Sequence, residues 1–116
     1  MNTPVSYKLA KLLKEKGFDE VSQKWYSVEG GCYFIDEFNN NRGFVPTYEC
    51  EAPTISDVCM LLYKNHKIWI SVDPENDTNT WFHTITHGKS TTVFGNYSSL
   101  TEAYEAGIED VLINMI

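Results

Sequence analysis

The pattern of apolar and polar residues predicts helices and strands in the order α-β-β-(β)-α-β-β-β-α. In residues 5–16, Val5, Leu9 and Leu13 recur on one face at helical spacing, and Gly17 follows where a helix often ends in a left-handed residue. Residues 21–28 and 32–38 are rich in aromatic and β-branched side chains, which predicts two antiparallel strands joined by a turn. Residues 44–51 include Pro46, so we expect an edge strand or an irregular connection there.

A helix that runs almost directly into a strand forms the centre of the pattern. Thr54 is placed to be the N-cap, and Asp57 follows three residues later as in a capping box. The strand at 68–72 alternates, with Ile68 and Ile70 on the face that would lie beneath the helix. The predicted apolar face of the helix consists of Ile55, Val58, Cys59, Leu62 and His66.

The last third of the chain predicts a meander and a closing helix. Strands at 80–87 and 91–94 follow 68–72 through short connections. Ser99 and Glu102 form a capping box for the last helix. Gly107 falls on the apolar face of this helix, where glycine costs about 1 kcal/mol relative to alanine. Its position therefore predicts a close approach of the helix to the sheet.

Together these elements predict a single α+β domain over residues 1–116. We expect a mainly antiparallel sheet of four to five strands with about three helices, largely on one face. If residues 44–51 pair beside 68–72, the connecting helix makes a right-handed crossover.

Composition and charge predict a globular protein and exclude several classes of binding partner. The 116 residues are 42% hydrophobic, enough for a globular core without metal or disulfides, and carry a net charge of −7. Such a charge repels phosphate backbones and anionic lipid surfaces, so we expect neither nucleic acid nor membrane as a partner. An odd number of cysteines, no signal peptide and no membrane-length apolar run predict a cytoplasmic protein.

Two loops have partial resemblance to ligand sites. Residues 88–90 read Gly-Lys-Ser, as at the end of a phosphate-binding loop, but His83 occupies the place of the earlier glycine and a strand follows. A hairpin turn explains this segment better. Asp73, Glu75 and Asp77 alternate as in a calcium loop, but the required glycine and bidentate glutamate are replaced by threonines. We therefore predict no cofactor and no metal site.

The cysteines and histidines leave an enzymatic alternative open. A nucleophile pair could combine Cys32 or Cys50 with His83 or His87, because catalytic partners need not be close in sequence. Cys59 is expected to be a small buried hydrophobe. No local signature marks a catalytic residue, and abundant carboxylates offer pairs without singling one out. An enzyme using such a pair is the second hypothesis, and an acidic DNA mimic is a weaker third.

Exposed aromatic side chains could instead form a surface for a partner. The candidates are Trp69, Trp25 and Trp81, of which Trp69 lies opposite the inward-facing set of its strand. The alternative is that another element or a second subunit covers this face. The leading hypothesis is a small non-enzymatic accessory protein that binds a protein partner or forms a homodimer.

Three segments of the chain match a known group of proteins. They are residues 9–20 (LAKLLKEKGFDE), residues 52–56 (APTIS) leading to 66–70 (HKIWI), and residues 100–108 (LTEAYEAGI). In these segments, under half the chain, it resembles a family of short uncharacterised proteins from phages and integrated mobile elements of Bacteroides-type gut bacteria. The resemblance implies a phage-derived origin and a similar fold, and it carries over no catalytic residue.

Overall fold

The computed structural model describes residues 3–18, 20–35, 46–76 and 79–116, and those ranges contain three helices and six strands. The predicted α+β class and element order are confirmed. The strands form two three-stranded antiparallel sheets, so the prediction of one sheet with four to five strands is wrong. Contacts between residues divide the chain into an N-terminal unit, Asn2–Thr54, and a C-terminal unit, Ile55–Ile116. The expectation of a single domain stays a prediction.

The N-terminal unit combines one helix with a short sheet in the order β2-β1-β3. The edge position expected for residues 44–51 is confirmed. Because β3 pairs with β1, the condition for a right-handed crossover, which was pairing beside the strand at 68–72, is not met. The predicted strand end at 36–38, the loop at 39–43 and residues 44–45 lie outside the described residues. The elements of this unit are α1 (Tyr7–Glu15), β1 (Lys24–Ser27), β2 (Cys32–Phe34) and β3 (Tyr48–Glu51).

Both ends of α1 are fixed by local hydrogen bonds. The Ser6 hydroxyl accepts a hydrogen bond from the backbone N–H of Leu9 at 3.2 Å, which caps the first turn. At the other end Gly17 has φ +86°, and the Phe18 N–H donates to the Leu13 carbonyl at 3.0 Å. The predicted left-handed end is thus confirmed, and glycine suits it because it has no Cβ to clash.

The core of the N-terminal unit lies between α1 and its sheet. Leu9 and Leu13 are buried on the helix, and Tyr26 and Cys50 are buried on neighbouring strands. The Tyr26 hydroxyl donates to the carbonyl of Val5 at 2.5 Å, so the phenol is buried with its polar end satisfied. This bond links the centre of the sheet to the segment that precedes α1.

The C-terminal unit is a meander with two helices packed against it. Its strands follow one another in the order β4-β5-β6, which confirms the predicted meander. Gly88 has φ +64° in a tight hairpin that pairs His87 with Ser90, as predicted for residues 88–90. The elements are α2 (Ile55–His66), β4 (Ile68–Pro74), β5 (Trp81–His87), β6 (Ser90–Tyr97) and α3 (Leu100–Asn114).

The helix α2 begins directly after the predicted cap Thr54 and ends in an unusual conformation. Four residues of the predicted apolar face are buried, but the fifth, His66, is exposed because the helix ends there. Lys67 then adopts φ +58°, and its N–H donates to the carbonyl of Tyr63 at 2.9 Å. The left-handed Lys67 therefore ends the helix, and β4 begins at the next residue. The buried four are Ile55, Val58, Cys59 and Leu62.

The helix α3 starts with a modified capping box. Ser99 accepts a hydrogen bond from the Glu102 N–H at 3.0 Å, as predicted, but the Glu102 carboxylate accepts the N–H of Ser98 rather than that of the cap residue. Gly107 is buried as expected, while Met115, which follows the last residue of the helix, is exposed. With 15 residues α3 is the longest helix described, and no described helix is long and apolar enough to cross a membrane.

Candidate functional site

The strands of the C-terminal unit present two different faces. Ile70 and Ile85 point toward the helices and are buried, and α3 lies over this side at Gly107. Alternate residues point the other way and are half-buried or exposed, as is common for an antiparallel sheet with one solvated side. This open face consists of Trp69, Ser71 and Asp73 on β4, Phe82, Thr84 and Thr86 on β5, and Thr91 and Val93 on β6.

Trp69 lies on the open face, as its alternation with Ile68 and Ile70 predicts. The indole is 42% exposed, and its ring meets that of Tyr63 on α2 edge-on at 5.6 Å. Val93 on β6 is 58% exposed on the same face. The face therefore carries large apolar surface at two of its edges.

Neither Trp81 nor Trp25 is part of the open face that contains Trp69. Trp81 is half-buried and lies on the same side of β5 as His83 and Ile85, which is opposite to the side of Trp69. Trp25 belongs to the N-terminal unit. The three tryptophans therefore do not act as one patch on the meander.

In the N-terminal unit Trp25 forms the centre of an aromatic row across the sheet. Its ring lies 5.3 Å from that of Tyr33 on β2 and 5.8 Å from that of Tyr48 on β3. The ammonium of Lys14 lies over the Tyr48 ring at 5.8 Å and also donates to the carbonyl of Glu49. The rings are tilted against one another, so they pack mutually and present no flat stacking platform.

The edge of this row is anchored by a carboxylate. The Tyr48 hydroxyl donates to Glu51 at 2.7 Å, while the other carboxylate oxygen of Glu51 accepts the Ser22 N–H at 2.7 Å. Burial and the neighbouring Glu51 raise the pKa of the Tyr48 phenol well above its usual value. Tyr48 is therefore a neutral donor at any ordinary pH, and the arrangement holds β3 to the chain before β1.

The most unusual polar side chain of the described residues is the imidazole of His83. It is 1% exposed, and neither ring nitrogen has a hydrogen-bond partner within the part of the chain that the structure describes. The ring stacks on Tyr97 with centroids 5.3 Å apart and 21° between the planes, and the Phe94 ring lies 5.6 Å away. Burying a polar group without a partner costs roughly 1–3 kcal/mol.

A β-bulge in β6 creates the aromatic surroundings of His83. Trp81 pairs with Tyr97 but His83 pairs with Phe94, so two residues of β6 oppose the single Phe82. Without the bulge, Phe94 and Tyr97 would point to opposite faces, because their separation is odd. The bulge directs both rings to the side of His83.

A carboxylate from the preceding loop stabilises this bulge. Glu75 accepts a hydrogen bond from the backbone N–H of Asn96 at 2.6 Å, and Asn96 has φ +70°. Gly95 leaves room for this carboxylate, because a Cβ at this position would lie 2.8 Å from the Glu75 carboxylate oxygen and would displace it. Asparagine is among the residues that adopt a left-handed conformation most readily, which suits Asn96 to this position.

Burial determines the protonation of His83. Removal from water lowers the pKa of the imidazole from its ordinary 6.5, and the charge of Asp110 acts in the opposite direction. The backbone of Ala103 also favours the charged ring, although neither nitrogen reaches it with the geometry of a hydrogen bond. The neutral form is therefore favoured, and an enclosed neutral ring has no access to a substrate.

The cysteines lack the features of activated nucleophiles where their environments are known. Burial raises the pKa of the Cys59 thiol to about 11 and also raises that of Cys50. A catalytic cysteine needs the opposite shift, because the thiolate is the nucleophile. Cys32 is exposed on β2, and His87 is exposed at the end of β5.

Metal-binding groups are not assembled in the described parts of the chain. In residues 3–18, 20–35, 46–76 and 79–116, no three of His, Cys, Asp or Glu are placed to hold a metal ion. Of the candidate calcium loop, Asp77 lies outside these ranges, while Glu75 is engaged with the bulge of β6.

Sequence reasoning missed the His83 cluster and the aromatic row. The Gly95-Asn96 pair within an otherwise regular strand was a signal for a bulge, since both residues adopt left-handed conformations readily. The row around Trp25 depends on the pairing of β3 with β1, for which residues 44–51 carry no local signal.

No family model, curated protein or solved structure matches the chain.

Proposed function

We propose that this chain is a small cytoplasmic accessory protein, derived from a phage or mobile element, that binds a protein partner through the open face and catalyses no reaction. The observation that carries the proposal is the exposure of Trp69, which is 42% accessible on the side of the sheet away from α3. Tryptophan is enriched where partner proteins bind, because its large ring is buried there at little entropic cost.

The chemistry of the open face supports a protein as its partner. Trp69, Phe82 and Val93 give apolar contact area, and threonine and serine hydroxyls between them can donate and accept hydrogen bonds. Among the described residues of this face, Asp73 is the one charged residue, and none is a lysine or an arginine. A surface without cations is unsuited to a nucleic-acid backbone.

The shielding of the candidate chemical groups supports a non-enzymatic role. The His83 imidazole is enclosed, and the pKa values of Cys50 and Cys59 are shifted away from the reactive thiolate. The phage-derived origin is supported by the resemblance of three sequence segments.

The experiment that tests the proposal is affinity capture from a lysate of a Bacteroides-type host. The bait is the full chain, the Trp69→Ala variant, or the Met60→Ala variant as a matched control on α2, where Met60 is 57% exposed. We expect a host or phage protein to be retained by the native chain and the Met60 variant, and its recovery to fall at least tenfold with Trp69→Ala. Thermal unfolding of each bait checks that the folded fraction is the same. Equal retention by all three baits, or no retained protein, contradicts the proposal.

A further inference from the structure

The outer strand β6 has the properties of an edge that pairs with another strand. It lies at the end of the sheet order β4-β5-β6, it is eight residues long, and residues 90–96 are all exposed in the chain. Such an edge leaves a row of backbone N–H and C=O groups without a strand partner on its outer side.

Edge strands usually carry features that prevent pairing, and β6 largely lacks them. The sequence between Lys89 and Glu102 contains no charged residue and no proline, and Val93 and Phe94 are 58% and 48% exposed within it. The opposite edge strand, β4, includes the exposed Asp73 and ends at Pro74. Charged residues and proline are the usual features that prevent an edge strand from pairing with another chain. The β4 edge has such features, whereas the β6 edge does not.

The regular part of β6 precedes its bulge. From Ser90 to Phe94 the strand pairs with β5 without a break, and the irregularity begins opposite Phe82. The bulge at Gly95 and Asn96 bends the strand, so the segment that can accept another strand is centred on Thr92.

We infer that β6 is a self-association site, at which a second copy of this chain pairs antiparallel with the segment 90–94. A two-fold axis near Thr92 would join the meanders into a continuous six-stranded sheet. The same donors and acceptors then match across the axis, as in an isologous interface.

The absence of charge favours a second copy over an unlike strand. In a symmetric antiparallel pair the residue on the axis faces its own equivalent, and its neighbours face residues of the same short segment, so a charge on the axis would face a like charge. Since β6 has none, self-pairing is free of this repulsion despite the net charge of −7. Pairing would also cover part of Val93 and Phe94, which accounts for their position on an exposed edge.

A single strand pair is small compared with a standard interface. Interfaces below about 1,200 Å² of total buried surface belong to weak and transient complexes. We therefore expect a concentration-dependent equilibrium between a 13.3 kDa monomer and its dimer. Thr91 and Val93 belong both to this edge and to the open face, so the two proposals are tested by substitutions at different residues, Thr92 for the edge and Trp69 for the face.

A charge exchange at Thr92 tests the inference. Thr92 is exposed and lies on the side of β6 away from the open face, so its substitution leaves the Trp69 surface unchanged. Sedimentation equilibrium of the native chain from micromolar to millimolar concentration should show the apparent mass rising toward twice the monomer mass. Thr92→Lys alone and Thr92→Glu alone should each weaken dimerisation at least tenfold, because like charges face each other. A one-to-one mixture of the two variants should restore it.

Met60→Lys is the matched control for Thr92→Lys, because it adds the same charge at another exposed position, on α2. It should dimerise like the native chain. A native chain that stays monomeric at millimolar concentration overturns the inference, as does a dimer that neither Thr92 variant weakens. Circular dichroism of each variant establishes that the monomer is folded before its mass is compared.

Discussion

Gly107 of α3 lies directly over the buried ring of His83 on β5. A Cβ built on Gly107 would stand 3.3 Å from Cγ of His83 and 3.1 Å from Cγ2 of Ile70. Both neighbours are at most 2% exposed, so neither can move aside without disturbing the core. The glycine that weakens the helix therefore permits the close packing of helix and sheet.

Replacement of Gly107 by alanine should destabilise the protein despite the better helix propensity. Overpacking a core costs about 1–3 kcal/mol, while alanine in place of glycine gains about 1 kcal/mol in a helix. We expect a net loss of about 1 kcal/mol in the free energy of unfolding, measured by urea denaturation. A variant more stable than the native chain would mean that His83 and Ile70 yield to the methyl group.

Replacement of His83 by phenylalanine should stabilise the protein, most strongly in mild acid. The folded ring has a pKa below the ordinary 6.5, so below pH 6.5 the unfolded chain binds a proton that the folded chain does not. The stability of the native chain should therefore fall as pH decreases, by up to about 1.4 kcal/mol per pH unit from this one group. Above pH 7 only the cost of burying the unpaired neutral ring remains, about 1 kcal/mol.

The measurement is urea unfolding of the native chain and the His83→Phe variant between pH 5 and 8. Their difference should be constant above pH 7 and grow below pH 6.5. His87→Phe is the control, since His87 is exposed on the same side of the same strand and should follow the native pH profile. Parallel profiles for the native chain and His83→Phe would show that His83 is protonated equally in both states.

The helices were predictable because their signals are local. Ser99 and Gly17 specify ends through bonds within one turn, and the periodic apolar residues of α2 specify its buried side. The meander was predictable for the same reason, because short connections force neighbouring strands to pair.

The pairing of β3 with β1 could not be predicted, and the error produced one sheet instead of two. Residues 44–51 could have paired with either neighbouring strand group, and nothing in their own sequence distinguishes Trp25 from Ile68 as the partner strand. The His83 cluster was missed because a single extra residue in β6 inverts which side chains face the helices. Long-range pairing and register are properties of the assembled sheet rather than of a segment.

Removal of the Glu75 carboxylate should loosen the bulge and the stack on His83. The bond from the Asn96 N–H is charge-assisted and partly exposed, so Glu75→Ala should cost about 1–2 kcal/mol. Glu75→Gln keeps an oxygen acceptor and should cost less than half of that. The His83 ring protons in an NMR spectrum report the Tyr97 stack directly, and their shifts should move with Glu75→Ala. Unchanged shifts would show that the bulge is stable without this carboxylate.

The stability difference between alanine and glycine can be measured at two left-handed positions, one at the end of α1 and one at the end of α2. Gly17 has φ +86° with open space around its Cβ direction, and Lys67 has φ +58°. An L-residue in this region costs about 1–2 kcal/mol relative to glycine, partly offset by the greater freedom of glycine in the unfolded chain. We therefore expect Gly17→Ala to lose about 1 kcal/mol, and Lys67→Ala to be about 1 kcal/mol less stable than Lys67→Gly.

Comparing the two Lys67 variants with each other is necessary, because both lose the ammonium that lies 5.3 Å from the Tyr63 ring. Ala106→Gly, inside α3, provides the opposite control, since glycine should be the less stable residue there by about 1 kcal/mol. The sign of the alanine–glycine difference should thus reverse between the helix ends and the helix interior. If alanine is at least as stable as glycine at position 67, Lys67 does not hold its left-handed conformation in solution, and α2 ends in another way.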